Sequence, residues 1–120
     1  MLKSILENNE NYQPGLSIDC VIFGFHDNQL KVLLINTPHS ERWSLPGGFI
    51  PIDQDIDTAA VTVLNERTGV EGVFLRQFST FGKIKRNENH FDNEALKHLD
   101  ISPELGKWLT RRFVTLGYYA

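Results

Sequence analysis

In the stretch PGGFIPIDQDIDTAAVTVLNERTGV, residues 46 to 70, two glycines at one end and Thr68-Gly69 at the other bracket a segment of helical periodicity. Positions 63, 66 and 67 of such a helix are three and four residues apart and share one face. Carboxylates at all three would meet a divalent cation together, since Mg²⁺ takes hard oxygen ligands and is held by at least one or two carboxylates along with substrate phosphates. A cation so held lowers the pKa of an attacking water and clamps phosphates. This chain places Val63, Glu66 and Arg67 there, so the face carries one acid and one guanidinium, with a formal charge near zero. Arg67 would repel a metal ion. It is read either as a solvated surface charge or as a partner for a ligand phosphate, and Val63 as completing the apolar stripe of the helix.

Other residues of chemical type are read against plainer roles. Gly47 and Gly48 are expected to supply backbone freedom for a turn. Trp43 is a core residue or a stacking platform. His90, Asp92, Glu94 and His98 are metal-ligand types, with Glu94 and His98 four apart. They lie in a stretch of weak structural signals, which favours a polar surface insertion over a metal site. Cys20, inside an apolar run, is a core residue and not a nucleophile.

The elements that must position these residues follow from pattern. Residues 1 to 15, MLKSILENNENYQPG, form a leader in which turn formers follow a short helical start. SIDCVIFGF is nearly continuous in apolar residues, which predicts a strand buried on both faces. The polar turn 26 to 29 and the run LKVLLINT complete a hairpin. TPHSER is a loop, and WSL a short extended piece ending before Pro46.

Asp55 or Asp57 can cap the central helix with a side-chain oxygen. Ile56, Ala59, Ala60, Val63 and Leu64 form its apolar stripe, and Gly69 ends it. VEGVFLRQFSTFG reads as a strand and residues 87 to 110 as a polar insertion. Within that insertion, Ser102-Pro103 opens a short helix over SPELGKWL. RRFVTLGYYA is a closing strand. The order of hairpin, helix, strand, insertion and strand points to a single α+β domain with a mixed sheet, residues 16 to 120.

Composition narrows the function classes. The chain has 120 residues, 41% of them hydrophobic, room for one domain. Twelve Lys+Arg against fifteen Asp+Glu, a net charge of −3, deny it the positive field that nonspecific nucleic-acid binding needs. One cysteine excludes an internal disulfide and fits a reducing compartment. With no signal-peptide pattern and no window long and apolar enough to cross a membrane, the cytoplasm is expected and no membrane partner.

The stretch 46 to 70 resembles the signature of Nudix domains: a glycine, five residues, Glu, seven residues, Arg-Glu, an aliphatic residue, any residue, Glu-Glu, any residue, Gly and an aliphatic residue. Gly48 and Gly69 match the glycines at the right spacing, Leu64 and Val70 the aliphatic positions, and Glu66 the first acid of the pair. WSLPGG and Ala59-Ala60 are similar as well. Four positions depart: Gln54 for the first Glu, Thr62 for the Arg, Val63 for the next Glu and Arg67 for the last Glu. The resemblance implies a Nudix-like α/β/α sandwich with a mixed sheet, truncated at its carboxyl end. It implies a ligand site formed by Gly47, Gly48, Arg67, Glu66, Trp43 and Arg86. Catalysis and metal binding have no residues beyond Glu66, so no cofactor is expected, or Mg²⁺ if the chain is active.

The runs SIDCVIFGFHDNQLKVLLI, WSLPGGF, Thr80-Phe81-Gly82 and RRFVTLGYYA are similar to the Nudix-like sensor domains of bacterial transcription regulators of NAD and sugar metabolism. The resemblance covers about residues 17 to 86 and 111 to 120. It implies an effector-binding module for an ADP-ribose-type nucleotide or a sugar, with DNA bound only through a winged-helix segment absent from this sequence. The alternatives are a metal-dependent hydrolase of nucleoside diphosphate derivatives, resting on Glu66, and a structural remnant without ligand. Since a Nudix fold normally continues with another strand and a covering helix, an open sheet edge and a homodimer are expected, with the carboxy-terminal strand or residues 87 to 110 at the interface.

Overall fold

The computed structural model describes residues 15 to 36, 41 to 84, 102 to 109 and 111 to 120. The leader up to residue 14, Arg86, the His90, Asp92, Glu94 and His98 group and most of the insertion lie outside the described residues.

Four strands form a mixed sheet in the order β6-β1-β8-β7, with β1 at Leu16–Val21, β6 at Gly47–Phe49, β7 at Arg76–Phe81 and β8 at Val114–Tyr119. β1 and β8 are parallel, from Leu16 opposite Val114 to Val21 opposite Tyr119, and both outer strands are antiparallel to their neighbours. Ser17 Oγ and Thr115 Oγ1, 2.7 Å apart, share a hydrogen bond across the parallel pair. β8 is an inner strand, paired with β1 on one side and β7 on the other, and the edges of the sheet are β6 and β7.

Side chains alternate across a strand, so Ile18, Cys20, Leu116 and Tyr118 point to one face. There they meet Ala59, Ala60 and Leu64 of α1 (Ile56–Thr68) in a buried cluster. Each large apolar side chain buried this way contributes roughly 1.5 to 3 kcal/mol. Ile56 stays partly exposed, so the working stripe is Ala59, Ala60, Val63 and Leu64. Gly69 ends the helix in the left-handed region at φ 77, its N–H donating to the Asn65 carbonyl at 2.7 Å. At the other end Asp55 holds the N-cap position without a side-chain cap bond. Asp57 instead accepts a hydrogen bond from the Tyr118 hydroxyl, which ties the first helical turn to β8.

The prediction of a strand buried on both faces over SIDCVIFGF is corrected: Ile18, Cys20 and Ile22 are buried on the α1 side, whereas Ser17, Asp19 and Val21 on the other side are only half-buried. Beyond Ile22, β2 (Phe23–His26) and β3 (Gln29–Val32) form an antiparallel two-stranded ribbon exposed along its length. A continuous apolar run does not distinguish a doubly covered strand from one whose apolar side faces outward. Asp27 and Asn28, at φ 52 and 58, make the two-residue turn, a conformation these short polar side chains tolerate. β4 (Ile35–Asn36) pairs with β5 (Trp43–Ser44). The strand expected over VEGVFLRQFSTFG begins only at Arg76, with Gly72 at φ 75 in the bend before it.

α2 (Pro103–Leu109) starts at the predicted proline, and the Gly106 N–H donates to the Ser102 carbonyl at 3.0 Å. Its Trp108 packs edge-on against Phe49 and Phe113, with centroids 4.7 and 4.9 Å apart, and covers a corner of the sheet face away from α1. The two helices on opposite faces and the mixed sheet agree with the predicted α+β sandwich.

Candidate functional site

The site is built where edge strand β6 meets α1. Pro46 is fully buried and its carbonyl accepts the Cys20 N–H at 2.8 Å, which fixes the chain entering β6. Gly47 then pairs with Asp19 and Gly48 with Ile18. Neither glycine has a positive φ, so the expectation of backbone freedom is corrected: what these positions need is space. A Cβ on Gly47 would run into the Asp19 carboxylate and lie 2.8 Å from the Ile18 carbonyl oxygen. A Cβ on Gly48 would lie 3.1 and 3.2 Å from the two methyls of Val63.

Val63 is thus buried against Gly48, closing the inner end of the helix face that could have carried metal ligands. An acid at this position would be desolvated by the same packing. Glu66 and Arg67, one turn on, are both exposed. The Arg67 Nε donates to the Gly47 carbonyl at 3.0 Å, so the guanidinium bridges α1 and β6 instead of standing free in solvent. Thr68 steadies the same end of the helix: its hydroxyl donates to the Leu64 carbonyl at 2.7 Å and accepts the Val70 N–H at 3.1 Å.

Gln54, where the resemblance has the first acid, presents a buried Oε1 without a hydrogen-bond partner among the described residues. Thr62, in place of the signature arginine, donates its hydroxyl to the Thr58 carbonyl at 3.1 Å and stays on its own helix. Trp43 is 64% exposed, which excludes the core reading and leaves its ring available to a ligand. The structure brings together Gly47, Gly48 and Arg67, with Glu66 adjacent on the helix; no hydrogen bond links Trp43 to them.

The donor set does not suit a hard divalent cation. Among the described residues no group of three or more His, Cys, Asp or Glu side chains could hold a metal ion, and this face offers the single carboxylate of Glu66 beside a cation. Cys20 is buried in the core as predicted, and burial followed by the neighbouring Asp19 carboxylate pushes its thiol up to about 11. No helix among the described residues is long and apolar enough to cross a membrane. Sequence reasoning missed the Val63–Gly48 closure and the Arg67–Gly47 bond; each Gly-Gly neighbour is a contact partner, and only the paired appearance of two glycines hinted at close approach.

Comparison with known proteins finds regulators similar to this chain in sequence and fold. No family model matches the chain. A curated relative, the ADPR responsive transcriptional repressor NtrR of Acinetobacter baylyi, is 37% identical over 62% of this chain and 32% of its own length. The chain thus spans about a third of that relative. The NUDIX domain of Shewanella oneidensis NrtR, solved in complex with ADP ribose, superposes with a TM-score of 0.61 at 29% identity, covering 100% of this chain and 70% of that one. The same organism's NrtR in complex with a 27mer DNA gives 0.60 at 31% identity, over 88% of this chain and 41% of that one.

Proposed function

We propose, on the premise that this chain is a Nudix domain, that it is the non-hydrolytic effector-binding module of a transcription regulator and takes an ADP-ribose-type nucleotide. The observation that carries this reading is the box helix itself, with Val63 sealed against Gly48 and Arg67 tied to the Gly47 carbonyl. Where a hydrolase of this fold would hold a cation, the chain offers a fixed guanidinium. A guanidinium needs no metal to meet a diphosphate, and its remaining N–H groups make charge-assisted bonds to phosphate oxygens. Trp43, exposed at the neighbouring β5, offers a ring for a base or sugar. The similarity to regulators solved with ADP ribose and with DNA supports the same assignment. Contact with operator DNA belongs in this reading to a winged-helix segment outside these 120 residues.

The exposed Glu66 is the observation on the side of a hydrolase. One carboxylate without a second ligand or general base leaves the loss of a factor of roughly 10² to 10⁴ from acid–base catalysis alone.

Calorimetric titration with ADP-ribose in the absence of divalent metal tests the proposal. Saturable binding is expected, and Arg67→Ala should weaken it about tenfold or more, as a charge-assisted bond contributes roughly 1.5 to 3 kcal/mol. Unchanged affinity in the variant removes Arg67 from the site. Absence of binding by the intact chain removes the nucleotide.

A further inference from the structure

The strand that carries the two glycines also reaches the sheet face away from α1. Gly48 lies against Val63 of the helix, so Gly47 and Phe49, its neighbours on β6, turn to the opposite face. Gly47 is the residue whose carbonyl holds Arg67. Phe49 follows it by two residues, about 7 Å along a strand. A guanidinium suited to phosphate is therefore tied about one sugar's length from an aromatic ring.

That ring is firmly held. Phe49, Phe113 and Trp108 of α2 pack in a triangle with centroids 4.7, 4.9 and 5.1 Å apart. Phe113 is buried at its base, whereas Phe49 and Trp108 keep 38% and 36% of their surface in water. Aromatic side chains offer roughly 150 to 250 Å² each, so the pair leaves on the order of 150 Å² open. That suits one flat ring system. It is a small fraction of the ~800 Å² that each partner gives to a stable protein interface, which favours a small ligand over a macromolecule. The three rings carry one polar group between them, the indole N–H, so the uncharged end of a ligand belongs there and its phosphates do not. Trp43, on the two-residue strand β5, is the more exposed ring. A ring already locked by packing loses less freedom when a ligand stacks on it.

We infer that Phe49 and Trp108 form the platform on which the base of the nucleotide stacks, with the diphosphate turned to Arg67. The inference rests on the nucleotide reading above, and it brings into the site Trp108, which lies outside the stretches that the Nudix resemblance covers. Trp43 is then left to the sugar at the far end. Stacking on an aromatic side chain tolerates any base, so the platform positions the nucleotide without selecting which base it carries.

Tryptophan emission tests this directly, since Trp43 and Trp108 are the two tryptophans of the chain. In Trp43→Phe, metal-free ADP-ribose should change the emission of Trp108 along a saturable curve. AMP should do the same, and ribose 5-phosphate should not. In calorimetry Trp108→Ala should weaken ADP-ribose and AMP about tenfold, a usual loss for one base–aromatic stack, and Trp108→Phe should restore most of it. Circular dichroism reports whether each variant folds, and the emission series decides alone if Trp108→Ala does not. Binding by the intact chain with no change in Trp108 emission overturns the platform and leaves the effector reading standing, as does unchanged affinity in a folded Trp108→Ala. An equal emission change with ribose 5-phosphate also overturns it, because it puts the sugar on the rings. Failure of the intact chain to bind ADP-ribose overturns both.

Discussion

On the α1 side of the sheet, Ile18, Cys20, Leu116 and Tyr118 are buried under a helix, whereas on the opposite side Phe78, Phe81 and the ribbon phenylalanines remain open to solvent. The two sides differ in composition, since the outer one also carries Ser17, Asp19 and Thr115, and they differ in what reaches them. α1 arrives with alanines at two successive buried positions, which let it lie close on the strands, and Val63 leaves little room for a Cβ on Gly48. α2 is short, and its Trp108 meets Phe49 and Phe113. The box helix is therefore committed to packing along its inner side, and the chemistry open to it is confined to Glu66 and Arg67 at its end.

This contrast is broken most severely by shortening a side chain under α1. Leu64→Ala removes buried methyls from a close-packed cluster and should lower the unfolding free energy by about 2 to 5 kcal/mol in urea titration. Phe78→Ala, on the open side of the same sheet, should cost about half as much, because about half of that side chain is already in water. Equal losses would mean that the open side is covered in solution.

A smaller effect sharpens the role of the tie between sheet and helix. Tyr118→Phe deletes the hydroxyl that Asp57 accepts and should cost about 1 to 2 kcal/mol. It also changes the response to alkali. Burial, then the bond to Asp57, pushes the Tyr118 phenol up from 10.0 to about 12, and burial, then Asp19, pushes the Cys20 thiol up from 9.0 to about 11. Both groups are raised in the folded state, so their contribution is complete below the unfolded values and is lost as pH rises through the folded ones. Thermal midpoints should therefore fall from about pH 9 to 11 through Cys20 and from about pH 10 to 12 through Tyr118. The Phe variant should keep the first decline and lose the second; an unchanged profile would detach Tyr118 from it.

Local signals in the sequence carried much of this architecture. Gly69 stopping α1, Ser102-Pro103 opening α2, and the polar turn at Asp27-Asn28 each depend on neighbours within a few residues, and each is where its local chemistry puts it. The spacing from Gly48 to Gly69 was enough to find the box and its missing acids. Strand order was not legible, because β1 pairs with β8 across a separation of 98 residues at Ser17 and Thr115, and no local pattern encodes that choice. β8, at the end of the sequence, accordingly has partners on both sides that no neighbouring residues announce. Trp43 and the ribbon phenylalanines were misplaced for a related reason: hydrophobicity predicts a preference for burial, not the arrival of a partner.

The reading of the box as an effector site is tested most directly by incubating the chain with ADP-ribose and Mn²⁺ and quantifying AMP, with binding followed in parallel by calorimetry. A non-hydrolytic effector domain binds the nucleotide and releases no AMP above the metal-free background. Metal-dependent AMP release that disappears in Glu66→Gln would contradict it and make the single carboxylate a catalytic one.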